Sequence, residues 1–547
     1  MILRRLTRTL LPIVVMAMLP PVVLHAGELK VDSFFPAGVQ RGQTVSIEVG
    51  GKFAHWPVKL WVDRDDVTAQ AAKEKGRLRV TAAAEATPGV VWIRLFDQQG
   101  AAKAQPLVIG TLPEMLETEP NDDYRSPQQL EIARRVVNGR LAKAGDVDTF
   151  AVALRAGDRL VASIEANRSL GSPMDAVLQV VDSRGFVLAH NDDSTGLDPR
   201  IVFDATQDDT YRVRVFAFPA KPNQSIRFAG GATYIYRLTL TNGPFIDRAR
   251  PLAIQAGKPT TIELLGWNLP EPRRVERSAD LPGQAIMAFD AEAGGRAEIA
   301  VVESGVTVEG EANSQNKPTT AVPSTISGTI GSPREEDVFR FAGTKWQTLR
   351  FGVRSRSLGY PLDPVLKILS AEGKTLKEVD DTTGRDAAFP YTLPADGEYQ
   401  LAVRDLYVRG GARFAYLLSI NEVRPDFRLS LPAESYVLTV GKPLEIPVTV
   451  AREGGLAADI EIAAGGLPAG VTAAAAASAK QGDSSKQVKL VLSAKSAGFS
   501  GPIRIEGQTR QQPAIRHAAT AALKVTPATT QVIWLSVVAA KPSSNAK

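Results

Sequence analysis

The stretch MDAVLQVVDSRGFVLAHNDD at 174–193 decides the fold, because the chain repeats it as LDPVLKILSAEGKTLKEVDD at 362–381. Each copy is followed by a segment in which apolar and polar residues alternate, TYRVRVFAF (210–218) and EYQLAVRDL (398–406). This alternation is typical of a β-strand with one buried face. Clusters of Gly, Asp, Asn and Pro separate such segments, and no long segment has helical spacing. The sequence therefore predicts an all-β chain, a string of tandem β-sandwiches.

The repeat extends well beyond the opening stretch, over 117–240 and 309–420. Five blocks recur in the same order: ETEPN with EGEAN, DTF with DVF, the opening stretch with its copy, DDTYRVRV with DGEYQLAV, and YIYRLTL with FAYLLSI. A shorter match precedes each copy, PAGVQRGQTVSIEVGGKF (36–53) with PLAIQAGKPTTIELLGWNL (251–269). Internal repeats of this kind indicate a duplicated unit. We infer a small Ig-like domain followed by a β-sandwich, present twice.

The longer block resembles the bacterial pre-peptidase C-terminal (PPC) domain, a jelly-roll-like β-sandwich related to the collagen-binding domains of secreted collagenases. The first copy carries EPND, GDVDTF, the opening stretch and YIYRLTL. The shorter block resembles the TIG or IPT-like immunoglobulin fold, in which a Pro and a Gly precede a strand. From 426 onward, DFRLSLPAESYVLTVGKPLEIPVTVAREGG and GLPAGVT resemble the Ig-like modules of extracellular bacterial proteins.

These matches divide the chain into seven predicted segments. They are a signal peptide (1–26), a TIG/Ig-like domain (27–113), a PPC-like β-sandwich (114–242), a second TIG/Ig-like domain (243–306), a second PPC-like β-sandwich with a degenerate metal loop (307–422), an Ig-like β-sandwich (423–540) and a disordered tail (541–547).

The N-terminus predicts export from the cytoplasm. Three arginines precede an apolar run that ends near Ala26, which is the pattern of a cleaved secretory signal peptide. Removing those three arginines lowers the formal charge from +5 to +2, so nucleic acid is not an expected partner. No later segment is apolar over the roughly eighteen residues that a membrane span needs. With no cysteine, disulfides and a lipoprotein anchor on this chain are excluded. We expect a secreted, periplasmic or cell-surface protein.

An acidic loop, LETEPNDDYRSP at 116–127, is the main candidate site. Calcium takes about six to eight oxygen ligands, which flexible loops supply from carboxylates, amides and carbonyls. In related collagen-binding domains the equivalent acidic linker and Asp-x-Asp stretch bind calcium. The resemblance therefore implies six calcium ligands: Glu117, Glu119, Asn121, Asp122, Asp146 and Asp148. The alternative is a solvated acidic turn, with Asp148 only fixing the start of a strand.

The second copy keeps part of this pattern. Its corresponding residues are Glu309, Glu311, Asn313 and Asp337. Ser314 replaces Asp122 of the first copy, although Glu335 and Glu336 could compensate. We therefore expect weaker calcium binding there, or none. A further acidic cluster, HNDDSTGLDPR at 190–200, is either another cation site or an ordinary hairpin loop.

Nothing in the sequence predicts an enzyme. After the signal peptide only three histidines remain, and no nucleophile elbow, zinc motif or phosphate loop occurs. A glycosidase that uses a pair of carboxylates is not excluded by the sequence, because Asp and Glu are plentiful. We expect a non-catalytic, calcium-stabilised multidomain protein that binds extracellular polymer, protein or cell envelope. Tyr407, flanked by Arg404 and Arg409, is a candidate ligand-binding aromatic residue. The alternatives are an envelope spacer without a specific ligand and an undetected secreted hydrolase.

Overall fold

The computed structural model describes residues 29–131, 134–221, 227–310, 320–382, 384–511 and 513–540. The predicted signal peptide and the predicted C-terminal tail lie outside these residues. The described residues form β-strands joined by loops, with one four-residue helix and two short 3-10 turns. None of these helices is long and apolar enough to cross a membrane. The predicted all-β fold class is confirmed.

Strand pairing groups the described residues into five units, each with two sheets around its own apolar core. The strands of unit 1 are β1 (Lys30–Phe35), β2 (Gly38–Gln40), β3 (Thr44–Lys52), β4 (Lys59–Val62), β5 (Val67–Ala71), β6 (Arg77–Ala82), β7 (Gly89–Phe96) and β8 (Gln105–Gly110). They form the sheets β1-β3-β6-β5 and β2-β8-β7-β4. Ile47 and Leu78 of the first sheet and Ile93 and Leu107 of the second are fully buried between them.

Unit 2 carries the acidic loop and is a sandwich of two five-stranded sheets. Its elements are β9 (Glu114–Leu116), β10 (Gln128–Leu130), β11 (Arg134–Arg140), β12 (Asp148–Leu154), β13 (Arg159–Glu165), the helix α1 (Asn167–Leu170), β14 (Met174–Val181), β15 (Val187–Asn191), β16 (Arg200–Asp204), β17 (Asp209–Pro219) and β18 (Ile235–Thr241). The sheets run β10-β12-β17-β14-β15 and β16-β13-β18-β11-β9. The loop after β9 therefore crosses from one sheet to the other.

Unit 3 is the smallest of the five. Its strands are β19 (Phe245–Arg250), β20 (Ala253–Gln255), β21 (Thr260–Trp267), β22 (Arg273–Arg277), β23 (Ala285–Ala288), β24 (Gly294–Gly295) and β25 (Ala297–Val302). They form the sheets β22-β21-β19-β24 and β20-β25-β23. As in unit 1, the first two long strands pair as an antiparallel ladder that contains a bulge.

Unit 4 has the same strand order as unit 2. Its elements are β26 (Val306–Val308), β27 (Ser324–Thr329), β28 (Glu336–Gly343), β29 (Thr348–Arg354), a 3-10 turn (Arg356–Leu358), β30 (Pro364–Ser370), β31 (Thr375–Val379), β32 (Ala388–Thr392), β33 (Gly397–Asp405) and β34 (Ala415–Glu422). The sheets run β28-β33-β30-β31 and β26-β27-β34-β29-β32. Except for β10, each strand of unit 2 has a counterpart at the same place, which is what the five recurring sequence blocks predict.

Unit 5 ends the described chain. Its elements are β35 (Asp426–Leu431), β36 (Ser435–Thr439), β37 (Leu444–Glu453), β38 (Ile460–Gly465), β39 (Val471–Ala474), β40 (Ala476–Ser478), a 3-10 turn (Asp483–Ser485), β41 (Gln487–Ala494), β42 (Ser500–Thr509), β43 (Arg516–Ala518), β44 (Thr520–Ala522), β45 (Thr529–Thr530) and β46 (Ile533–Val538). Its two sheets run β39-β41-β37-β35-β44-β45 and β36-β46-β42-β38-β40. Exposed and buried residues alternate along β41, as the period-two pattern predicts.

The units do not form an open string, because unit 1 contacts unit 5. Arg94 of β7 and Glu434 are each only 3% exposed and form an ion pair at 3.0 Å. The ring of Trp534 contacts the rings of Trp61 and Phe96, with centroids 5.7 and 5.0 Å away. The chain therefore closes on itself.

A second charged contact joins units 2 and 3. Glu165 of β13 accepts hydrogen bonds from Arg237 of β18 and from Arg296 near β24, each at 2.6 Å. Burial alone would raise the pKa of Glu165, but the guanidinium groups of Arg296 and Arg237 lower it to about 2. Arg237 also fills the space beside Gly38 of unit 1, where a Cβ atom would lie 2.1 Å from its Nε. A glycine is therefore required at this junction.

Candidate metal centre

The acidic loop folds over the start of β12. β9 lies beside β11 in one sheet, and β12 begins at Asp148 in the other. The backbone N–H of Thr149 donates to the carbonyl of Asn121 at 3.1 Å, which holds the loop against the strand. The N–H of Asn121 in turn donates to the carboxylate of Glu119 at 3.0 Å. These contacts bring the loop residues next to Asp146 and Asp148, about 25 positions later in the chain.

Three carboxylates converge at this point. Glu119, Asp146 and Asp148 each place an oxygen within 4.8 Å of the others. Asp146 and Asp148 are fully buried, whereas Glu119 is exposed on the loop. Oxygen atoms at this spacing can ligate one divalent cation.

Several buried polar atoms of the cluster have no hydrogen-bond partner. Asn121 is 1% exposed, and neither its Oδ1 nor its Nδ2 is hydrogen-bonded. The same holds for one oxygen of Asp146 and one of Asp148. A buried polar atom without a partner costs about 1–3 kcal/mol, and more when it is charged. Three oxygens without hydrogen-bond partners, of which that of Asp146 lies 3.9 Å from Nζ of Lys143, fit a hard cation such as Ca²⁺ beside the exposed carboxylate of Glu119.

The pKa values of the carboxyl groups reflect the same crowding. Burial, with Glu117 close by, raises the pKa of Asp148 to about 10. Burial also raises the pKa of Glu117, to about 7. For Asp146 the shift is upward as well, first from burial and then from Asp122. A divalent cation acts in the opposite direction, because it favours the ionised form of each ligand.

A tyrosine and a glycine complete the arrangement, and neither was predicted from the sequence. The hydroxyl of Tyr236 donates to Asp148 at 2.5 Å and also lies 3.3 Å from Glu117. Its ring covers Gly139, where a Cβ atom would meet the ring carbon Cζ at 2.1 Å. The signal was present in the repeat, because YIYRLTL and FAYLLSI have tyrosine at the same place.

Two of the six predicted ligands have other partners. Glu117 accepts the backbone N–H of Arg140 at 2.7 Å and lies against Tyr236, so it supports Asp148. The half-exposed side chain of Asp122 forms an ion pair with Lys143 at 3.3 Å. The structure thus brings together Glu119, Asn121, Asp146 and Asp148, with Glu117 beside them and Asp122 at the edge.

The second copy has a related cluster of three carboxylates: Glu309, Glu335 and Asp337. Asp337 is 1% exposed and accepts the hydroxyl of Tyr416 at 2.7 Å, as Asp148 does from its tyrosine. Burial raises the pKa of Asp337 to about 8. Glu335 therefore joins the cluster, whereas Glu336 forms an ion pair with Lys367. The predicted ligands Glu311 and Asn313 lie outside the described residues.

The remaining candidates do not form sites of this kind. Asp198 accepts the N–H groups of Asn167 and Arg168 at the start of α1, and among the described residues it belongs to no metal-ligating group. Tyr407 is 62% exposed, with the guanidinium of Arg409 at 5.0 Å from its ring centroid. A ligand-binding role for Tyr407 stays a prediction.

Comparison with known proteins finds one family match, and it lies in unit 2. Residues 146–217 match the family model described as the bacterial pre-peptidase C-terminal domain, so the chain contains a PPC domain there. A "Probable subtilase-type serine protease" of Deinococcus radiodurans is 39% identical over 75 residues, which is 14% of this chain and 10% of that protein. A structure of the M60 catalytic domain with two CBM51 domains of Clostridium perfringens ZmpB aligns at 9% identity. The alignment covers 69% of this chain and 48% of that one with a TM-score of 0.14, too low to support an argument.

Proposed function

We propose that unit 2 binds a calcium ion through Glu119, Asn121, Asp146 and Asp148. One observation carries this proposal: the buried carboxylates of Asp146 and Asp148 converge with the exposed carboxylate of Glu119, and one oxygen of each aspartate and the side-chain oxygen of the buried Asn121 have no hydrogen-bond partner. The chemistry of the donor set selects the metal, because carboxylate and amide oxygens on a loop suit Ca²⁺ better than Zn²⁺. Glu117 and Tyr236 orient the ligands from behind. The ion would fix the acidic loop to β12 and so join the two sheets of the domain.

Calorimetry on the full chain tests the cation proposal. We expect calcium to bind the chelator-treated protein tightly, and Asp148→Asn to abolish that event. Asp337→Asn tests the second cluster separately, where we expect weaker binding or none. Absence of any calcium-binding heat, or binding that is identical in Asp148→Asn, would contradict the proposal.

For the whole chain, we propose a non-catalytic multidomain protein that acts outside the cytoplasm and binds extracellular polymer, protein or cell envelope. The support is the PPC domain at 146–217 together with the five two-sheet units, each with its own core. We assign the units to the segments proposed from sequence: TIG/Ig-like at 27–113 and 243–306, PPC-like at 114–242 and 307–422, and Ig-like at 423–540. Units 2 and 4 share their strand order and their Tyr–Asp–Glu arrangement, which supports the assignment of the second PPC-like copy.

Retention on insoluble polymers separates this function from the alternatives. The calcium-loaded chain is incubated with collagen, with envelope polysaccharide and with an inert resin, and peptide and glycan hydrolysis is measured in the same samples. We expect calcium-dependent retention on one polymer without hydrolysis. Retention on none of the materials favours the envelope spacer, and release of cleaved product favours a hydrolase.

A further inference from the structure

A cavity of about 740 Å³ lies where the five units meet, and we call it the central cavity. Its walls include Trp92 of unit 1, Arg168 of unit 2, Arg296 of unit 3, Arg356 and Tyr360 of unit 4, and Thr526 of unit 5. Small-molecule sites have volumes of about 300–1,000 Å³ and occur preferentially between domains. None of the carboxylates of the two metal-ligating groups lines this cavity. The central cavity is therefore a separate candidate site.

Arginines dominate the charged lining. Six of them line the cavity, against four acidic residues: Arg168, Arg200, Arg237, Arg296, Arg356 and Arg413 against Glu165, Asp198, Asp247 and Glu298. Asp247 is 3% exposed and forms ion pairs with both Arg200 and Arg413, so one carboxylate holds two guanidinium groups from units 2 and 4. Glu165 is shared in the same way by Arg237 and Arg296. These pairs join three units around the cavity and engage two of its four acidic side chains; a third, Asp198, accepts backbone N–H groups at the start of α1.

Arg168 has no such partner. Among the described residues, no carboxylate lies within ion-pair range of its guanidinium, and Nη2 only reaches the carbonyl of Ser357 at 3.4 Å. Its guanidinium packs against Gly359 of unit 4, where a Cβ atom would lie 2.4 Å from Nη1. The helix that carries Arg168 packs closely against unit 5, since a Cβ atom at Gly171 would lie 2.0 Å from the carbonyl oxygen of Val525. The guanidinium of Arg168 thus lies between units 2 and 4 without a salt bridge among the described residues, while the carboxylate of Asp198 accepts the backbone N–H of the same residue.

A second guanidinium with an unpaired N–H group lies close to Arg168, on the 3-10 turn of unit 4. Arg356 begins the 3-10 turn that Arg168 contacts at Ser357. Its Nε is buried without a hydrogen-bond partner, although Nη2 bonds Asp363 at 3.3 Å. Trp92, Met287 and Leu358 supply an apolar part of the wall. The lining therefore offers N–H donors at one place and apolar contact area at others.

We propose that the central cavity binds a small molecule that carries an oxyanion group, with Arg168 and Arg356 as the main donors to it. Planar guanidinium groups match carboxylate, sulfate and phosphate oxygens, and hydrogen bonds to such charged groups are stronger than neutral ones. Because the walls come from all five units, the ligand would also hold the closed arrangement of the chain together. This proposal goes beyond the calcium site and does not depend on it.

Calorimetry on the full chain, at fixed calcium and constant ionic strength, tests the proposal. The probes are sodium sulfate, as a free inorganic anion, and sodium glucuronate, as a sugar acid; constant ionic strength removes general screening effects. We expect saturable binding of at least one probe, weakened about tenfold or more in Arg168→Gln. Tighter binding of glucuronate than of sulfate would assign the ligand to sugar acids, and the reverse order to inorganic anions.

The control is Arg504→Gln, which removes an exposed arginine of β42 that does not line the cavity and, within the part of the chain that the structure describes, forms no ion pair. It must leave anion binding unchanged. If Arg168→Gln fails to fold, Arg356→Gln replaces it as the test variant. Hydrogen exchange of the wild type provides a further test, because a bound anion should slow exchange at 166–171 and 355–360. The proposal is overturned if neither probe binds saturably, or if Arg504→Gln weakens binding as much as Arg168→Gln does.

Discussion

Replacing Asp148 with asparagine separates the structural role of this residue from its role as a calcium ligand. Without calcium we expect a small loss of stability, below about 1 kcal/mol, because the amide oxygen can still accept the hydroxyl of Tyr236. Burial also raises the pKa of this carboxyl group in the calcium-free protein, which favours its neutral form and makes the neutral amide a close substitute. With calcium the variant loses a charged ligand from a cluster that has only three carboxylates.

The expected size of the effect follows from mass action. If free calcium is about 100-fold above the dissociation constant, binding stabilises the folded protein by roughly 2.7 kcal/mol. For a domain of this size that corresponds to roughly 8 to 12 °C in the melting temperature. The wild type should show this shift on changing from chelator to calcium, and Asp148→Asn should show almost none.

Differential scanning calorimetry on the full chain measures both shifts, and hydrogen exchange at 142–154 identifies the transition that contains β12. Asp204→Asn is the matched control, because Asp204 lies in the same unit and its 62% exposed side chain is paired with Arg159. That variant should keep the full calcium shift. An equal calcium shift in Asp148→Asn, or no shift in the wild type, would refute the reasoning.

Three further results are expected. Gly139→Ala should destabilise the chain by more than about 2 kcal/mol and weaken calcium binding, because the new methyl group overlaps the ring of Tyr236; chemical denaturation and calorimetry measure this. Glu434→Gln should cost about 3–5 kcal/mol at the contact of units 1 and 5, because it leaves Arg94 buried without a counter-charge. Small-angle scattering should then show a larger radius of gyration. An unchanged radius would count against the closed arrangement. Glu165 has a folded-state pKa below its ordinary value, so its contribution is present above about pH 4.5 and is lost as the pH falls toward 2. The stability difference between wild type and Glu165→Gln should therefore shrink by about 3 kcal/mol over that range, and a difference independent of pH would contradict the ion pairs.

The β-strands could be predicted from the sequence because the alternation of apolar and polar residues that marks a strand is a local pattern. Alternation at 487–494 predicts the exposed and buried faces of β41, and each face follows from the period of two. The order of the repeated blocks predicts that units 2 and 4 share one strand order. At the site, the family resemblance implied six oxygen ligands, and the structure gives two of them, Glu117 and Asp122, other partners.

Other features depend on packing between residues that are distant in the chain. Tyr236 reaches Asp148 only because β18 and β12 belong to opposite sheets; the repeat shows that the tyrosine recurs, but it does not identify the partner of its hydroxyl. The pairing of Arg94 with Glu434 spans 340 positions, and neither residue lies in a distinctive motif. The closed arrangement and the central cavity could therefore not be inferred from the sequence.

A crystal structure of the full chain grown with calcium tests the central claim most directly, through an anomalous difference map recorded where calcium scatters strongly. The account predicts a peak among Glu119, Asn121, Asp146 and Asp148, with oxygen ligands at about 2.3 to 2.6 Å. A map without a peak at that position, with ordered water bonded to Asn121 and the two buried aspartates instead, would contradict it.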